Sequence, residues 1–85
     1  MDYYWSADGP GTAMKAEKGW SDIRPVMCTT PQSGNTLYMF EADSKFYLWN
    51  LIEDSVFHIT SPDTESEIIQ KITEDDVKGL DLEEA

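Results

Sequence analysis

The stretch Thr36–Thr60, TLYMFEADSKFYLWNLIEDSVFHIT, decides the fold. Aromatic and β-branched residues fill three segments of it: 36–42 (TLYMFEA), 45–52 (KFYLWNLI) and 56–60 (VFHIT). Such residues suit a pleated, half-buried strand. The pairs Asp43-Ser44 and Asp54-Ser55 separate the segments, and spacers this short permit only tight hairpins between antiparallel neighbours. A meander follows. On the segment 45–52, Tyr47, Trp49 and Leu51 share one face, while Phe46, Leu48, Asn50 and Ile52 share the other. Both faces are apolar, which predicts a central strand with a helix over one side. The N-terminal aromatics, or a partner, would have to cover the second side.

Working outward, Arg24–Thr29 reads as a further short strand, limited by Pro25, which has no N–H for a ladder. Residues 31–35 (PQSGN) form a turn cluster between it and the next strand. After Thr60, Ser61 suits an N-cap and Pro62 a first helical position. Asp63, Glu65 and Glu67 then fall near the positive end of a helix over 62–73. Ile68, Ile69 and Ile72 make a stripe for packing on the sheet, and Glu67 and Lys71 are spaced for an i,i+4 pair. Thr73 would cap a second short turn, with Asp76 three residues on and Gly79 as its stop. The final segment 80–85 reads as a frayed acidic tail. Residues 1–22 contain a turn at Asp8–Gly11 and one or two helical turns at Thr12–Lys18. Tyr3, Tyr4, Trp5 and Trp20 would pack onto the sheet, or the segment would be a partly ordered arm. The prediction is one α+β domain over 1–85, with a small antiparallel meander of three to four strands (24–29, 36–42, 45–52, 56–60) and the C-terminal helix on one face.

The chain of 85 residues carries 17 acidic and 6 basic side chains, a net charge of −11. The excess is uneven, with nine of the acids in the last 25 residues. A field of this sign repels nucleic acid and anionic lipid and attracts basic surfaces, so direct nucleic-acid binding and membrane docking are not expected. No apolar run approaches a membrane span, and Met1–Trp5 lacks the basic segment of a secretory signal. Cys28 is the only cysteine, so no internal disulfide can form, which points to a reducing cytoplasm.

Catalytic and cofactor chemistry finds little support. A nucleophile–base pair would need Cys28 and the single histidine, His58, and nothing in their spacing brings them together. Otherwise they are a buried structural cysteine and a half-exposed strand histidine. One His and one Cys cannot make a structural zinc set. Aligned as a calcium loop with Gly79 sixth, the 74–85 segment puts Lys78 and Ala85 where oxygen ligands are required. Gly9 and Gly11 lack a third glycine and a preceding strand, so no dinucleotide fingerprint is present. No enzyme, cofactor or metal centre is predicted.

In size and charge the chain resembles phage inhibitors, toxin-immunity proteins and DNA-mimic proteins, a likeness that covers no motif and transfers no residue. The leading expectation is a non-enzymatic inhibitor or regulator that docks on a basic protein surface. Asp63, Glu65, Glu67, Glu74, Asp75 and Asp76 would steer it, and Tyr47 and Trp49 would anchor it as exposed aromatics. In a stronger version the acids imitate nucleic-acid phosphates and block a nucleic-acid-binding protein. The alternative is a structural or assembly subunit, or a homodimer joined through the aromatic sheet face.

Overall fold

The computed structural model of the chain describes residues 9–30, 36–74 and 79–85. Helix α1 (Pro10–Lys18) precedes strands β1 (Ile23–Thr29), β2 (Leu37–Ala42), β3 (Lys45–Asn50) and β4 (Ser55–Ile59); helix α2 (Glu65–Thr73) and strand β5 (Leu82–Glu84) follow. The five strands lie in chain order, β1-β2-β3-β4-β5, and each neighbouring pair is antiparallel. The α+β meander expected from the Thr36–Thr60 pattern is present, with β3 at its centre.

Turn chemistry sets the strand ends. Ala42 pairs with Lys45, leaving a two-residue turn in which Asp43 and Ser44 both have positive φ, 50° and 70°. Two positive φ values are the backbone of the hairpin turn whose twist matches that of paired strands. The second connection is longer than the expected Asp-Ser pair. Asn50 Oδ1 accepts from the backbone N–H groups of Ile52 and Glu53, both at 3.1 Å, and so folds residues 51–54 into a turn. Leu51 and Ile52 therefore leave the strand, and Ile52 is 66% exposed.

Alternation along the strands divides the core in two. Leu37, Met39, Leu48 and Ile59 join Ile68 and Ile72 of α2, with Leu80 completing the cluster. On the opposite face Tyr38, Phe40, Ala42, Tyr47 and Trp49 pack with Met14 of α1, and Trp20 and Val56 lie against them. Trp20 rests on Phe40 and Tyr47, with ring centroids 5.4 and 4.6 Å away, and those two rings stack at 13°. Offset rings at such distances add to the area they bury.

α1 takes the N-cap–Pro pattern at Gly9-Pro10 and ends at Gly19, whose φ of 74° a side chain would strain. Pro10 and Gly11 thus belong to the helix, not to a preceding turn. α2 begins three residues later than the Ser61-Pro62 signal suggests. Thr64 is its N-cap, and Thr64 and Glu67 form a reciprocal capping box. The box satisfies two backbone donors at once, whereas a Ser61 cap would satisfy one. The expected tail over 80–85 is also corrected. Leu80 is buried, and Leu82–Glu84 pairs with β4 as a fifth strand. Its ends are fixed by Thr60 N–H donating to Asp81 O at 2.8 Å and Ala85 N–H donating to Val56 O at 3.0 Å. The second helical turn expected around Asp76, and the packing expected of Tyr3, Tyr4 and Trp5, fall outside the described residues.

Burial separates two isoleucines in consequence. Ile72→Ala is expected to destabilise the protein by about 2–5 kcal/mol, the cost of a cavity in a closed core. Ile52→Ala should stay within about 0.5 kcal/mol of the parent. Urea denaturation of both variants checks the pair, and equal losses would contradict the assigned burial.

Candidate functional site

The carboxylates expected to face a partner are largely engaged within the fold. Arg24 lies opposite Glu41 in the β1–β2 register; its Nε donates to Glu41 at 3.1 Å, and its Nη2 donates to Glu65 at the start of α2. One guanidinium thereby ties β1, β2 and α2 together, and Glu65 first and Glu41 second hold it protonated more firmly than an ordinary arginine. Asp63 accepts from Lys71 Nζ at 2.9 Å, and Lys71 also donates to Gly79 O at 3.1 Å. That lysine holds the Asp63 carboxyl below the ordinary carboxylate range. The expected Glu67–Lys71 pair does not form, because the Glu67 carboxylate accepts from Thr64 N–H and Oγ1–H. Glu74 accepts from the Gln70 side chain at 3.2 Å. Asp75 and Asp76 lie outside the described residues.

The aromatic anchors are corrected more sharply. Tyr47 and Trp49 are 8% and 3% exposed. α1 and Trp20 cover the face that they share, and the Trp49 indole N–H donates to Asp54 Oδ1 at 3.2 Å. They hold the core together and offer no ring to a partner. The large apolar side chains that do reach solvent, among the described residues, are Ile52 and Leu82. Both sit in segments whose sequence reads as strand or tail, so only the tertiary arrangement reveals them.

Cys28 and His58 share the α1 face but not a site. β2 and β3 lie between their strands, and three strand spacings amount to about 14 Å. They are also offset, since Cys28 aligns with Tyr38 and Trp49 while His58 aligns with Tyr47 and Phe40. A working nucleophile and base stand about 2.6–3.2 Å apart. Cys28 is exposed, contrary to the buried cysteine expected, because β1 is an edge strand. Among the described residues no group of three or more His, Cys, Asp or Glu side chains is placed to hold a metal ion. None of the described helices is long and apolar enough to cross a membrane.

A concavity among the described residues lies elsewhere on the α1 face, beside Trp20. The register sets Phe40, Tyr47, His58 and Glu83 in one row across β2, β3, β4 and β5. Trp20 covers the first two. Lys18 Nζ crosses from the end of α1 to donate to Ala85 O at 3.0 Å. Beneath this bridge lie two adjoining hollows of about 530 and 420 Å³, which share Lys18, Glu84 and Ala85. Met14, Glu17, Asp54 and Val56 line the larger, and Trp20, Lys45, Tyr47, His58 and Glu83 line the smaller.

No protein-family model, no curated protein and no solved structure matches the chain.

The Asp63–Lys71 pair has a testable pH signature. A carboxyl whose folded value is depressed stabilises the fold above its unfolded value and loses that contribution as pH falls through the folded one. The ordinary value is 3.8, so the window lies below it. Asp63→Asn is expected to be less stable than the parent at neutral pH, with the difference closing as pH drops through that window. Denaturant titrations at several pH values read it, and a constant difference down to about pH 2 would sink the assignment.

Proposed function

We propose that the chain is a non-enzymatic acidic binding module, an inhibitor or regulator that docks on a basic surface of a partner protein. One observation carries the reading. Among the described residues no charged side chain is buried, so the described carboxylates lie at the surface of a molecule with a radius of gyration of 12.1 Å. A net charge of −11 on so small a body projects a field that steers cationic partners. Within that surface Asp63 and Glu65 are matched by Lys71 and Arg24 and contribute little net field. Complementarity then falls to Glu67, Glu74 and the neighbouring Asp75 and Asp76, together with Glu17, Glu53, Asp81, Glu83 and Glu84. Exposed Ile52, beside Glu53, supplies an apolar contact in place of the covered Tyr47 and Trp49. In the sharper form of this proposal, the carboxylates stand in for nucleic-acid phosphates on a nucleic-acid-binding partner. The free, exposed thiol of Cys28 suits a reducing cytoplasm.

A second reading, an assembly subunit, has its own support in β1. This seven-residue edge strand carries a single charge, Arg24, which is already paired. An assembly contact would use that edge, since the aromatic face is covered.

The two readings part in salt and in sedimentation. A partner captured from the native host and then purified is expected to lose at least about tenfold in affinity between low and high salt. Affinity unchanged in molar salt removes the electrostatic docking. A stable dimer of the chain alone, abolished by Val26→Lys, would favour assembly.

A further inference from the structure

The uncovered end of the cross-strand row is chemically unlike the rest of the surface. The chain has only six Lys and Arg residues and one His, yet Lys18, Lys45 and His58 meet at the smaller hollow. The Lys45 and His58 side chains make no hydrogen bond or ion pair among the described residues, whereas Arg24 and Lys71 are both paired. Glu83, opposite His58 on β5, forms the outer wall, while Glu84 aligns with Phe57 and turns its side chain to the other face. The hollow is therefore two-signed, with ammonium groups toward α1 and β3 and the Glu83 carboxylate on β5. Between the two signs lies an aromatic floor. The His58 and Tyr47 rings are 5.3 Å apart, and Trp20 stands against Tyr47 as a side wall.

Each candidate ligand class is tested by this lining. A plain anion would meet Glu83, and a plain cation would meet Lys18 and Lys45. Among the described residues a metal ion has no cluster of three ligands here. A purely apolar ring would leave Lys45 and Glu83 unanswered. A molecule that carries a ring and both charges answers both: the ring extends the row beside Trp20 and over His58, its carboxylate faces Lys45 with Lys18 close by, and its ammonium faces Glu83. Contact with the half-buried Trp20 and His58 rings adds attraction that depends little on the ring's identity. A hollow of about 420 Å³ admits one such molecule, within the usual range for small-ligand sites.

We propose that this hollow is a binding site for a small aromatic zwitterion, an aromatic amino acid in chemical class. The site shares Glu83 with the acidic surface proposed for a basic partner but takes a different ligand, and either proposal stands without the other. Its occupation would also fasten β5, because Glu83 would gain a counter-charge shared with β3 and α1.

The test titrates the full chain with L-phenylalanine, with 3-phenylpropionate, which keeps the ring and the anion, and with phenethylamine, which keeps the ring and the cation. Amide and side-chain NMR shifts are the readout. The expected result is a saturable shift confined to Trp20, Lys45, Tyr47, His58 and Glu83. L-Phenylalanine should bind at least about tenfold tighter than either singly charged analogue, a modest return for one further charge contact. Lys45→Met should weaken the amino acid and 3-phenylpropionate but leave phenethylamine unchanged, and Glu83→Gln should weaken the amino acid and phenethylamine but leave 3-phenylpropionate unchanged. Both variants keep the parent spectrum elsewhere, which separates lost binding from lost folding. Equal binding of all three probes, or the absence of a saturable shift at these residues, overturns the proposal.

Discussion

Strand β3 must be covered twice. Its Tyr47 and Trp49 side chains point to one face and Phe46 and Leu48 to the other, and a chain of this size has little apolar surface to spare. The rest of the architecture answers that requirement. Two strands flank β3 on each side, α2 closes one face with Ile68 and Ile72, and Met14 with Trp20 closes the other. No disulfide assists. The packing of a helix on each face is what makes a five-stranded meander stable without one.

The same requirement explains which parts of the structure were legible in the sequence. Period-two alternation in 36–52 is a local signal, so the strands, their faces and the central place of β3 could be read directly. What covers the second face was legible in part: Trp20 packs onto the sheet as expected, whereas α1 contributes chiefly Met14, which no periodic stripe announces. The aromatic density that suggests an exposed anchor at Tyr47 and Trp49 is the mark of this second core. β5 was hidden for a different reason. Leu82 is the lone apolar residue of Leu82–Glu84, and only the free edge of β4 turns that segment into a strand. The start of α2 was readable and misplaced, since Thr64-Glu65-Ser66-Glu67 is a capping-box pattern that competes with Ser61-Pro62.

Charge shows a similar division between what sequence counts and what structure places. The lopsided acidity after Ser61 is a fact of composition, but Asp63, Glu65 and Glu67 turn out to brace α2 against β1, the residue 79 backbone and its own first turn. Lys18, Lys45 and His58 are far apart in the chain, and no spacing rule links them. The register of β3, β4 and β5 brings Tyr47, His58 and Glu83 into line, with Lys45 beside them and Lys18 overhead. A candidate site of this kind comes from cross-strand geometry and is invisible to motif reading.

The order of the strands has a kinetic consequence. Because spatial order repeats chain order, every strand pairs with one that is near in sequence, and only the β4–β5 pairing must wait for the intervening helix. Loops this short cost little entropy to close, so the β2–β3 and β3–β4 hairpins can form before distant segments arrive. Hairpins close in about 1–10 μs, and a sheet assembled from them has no slow crossover to find. Folding should therefore begin at the Asp43-Ser44 turn and spread outward through the sheet, with β5 arriving last.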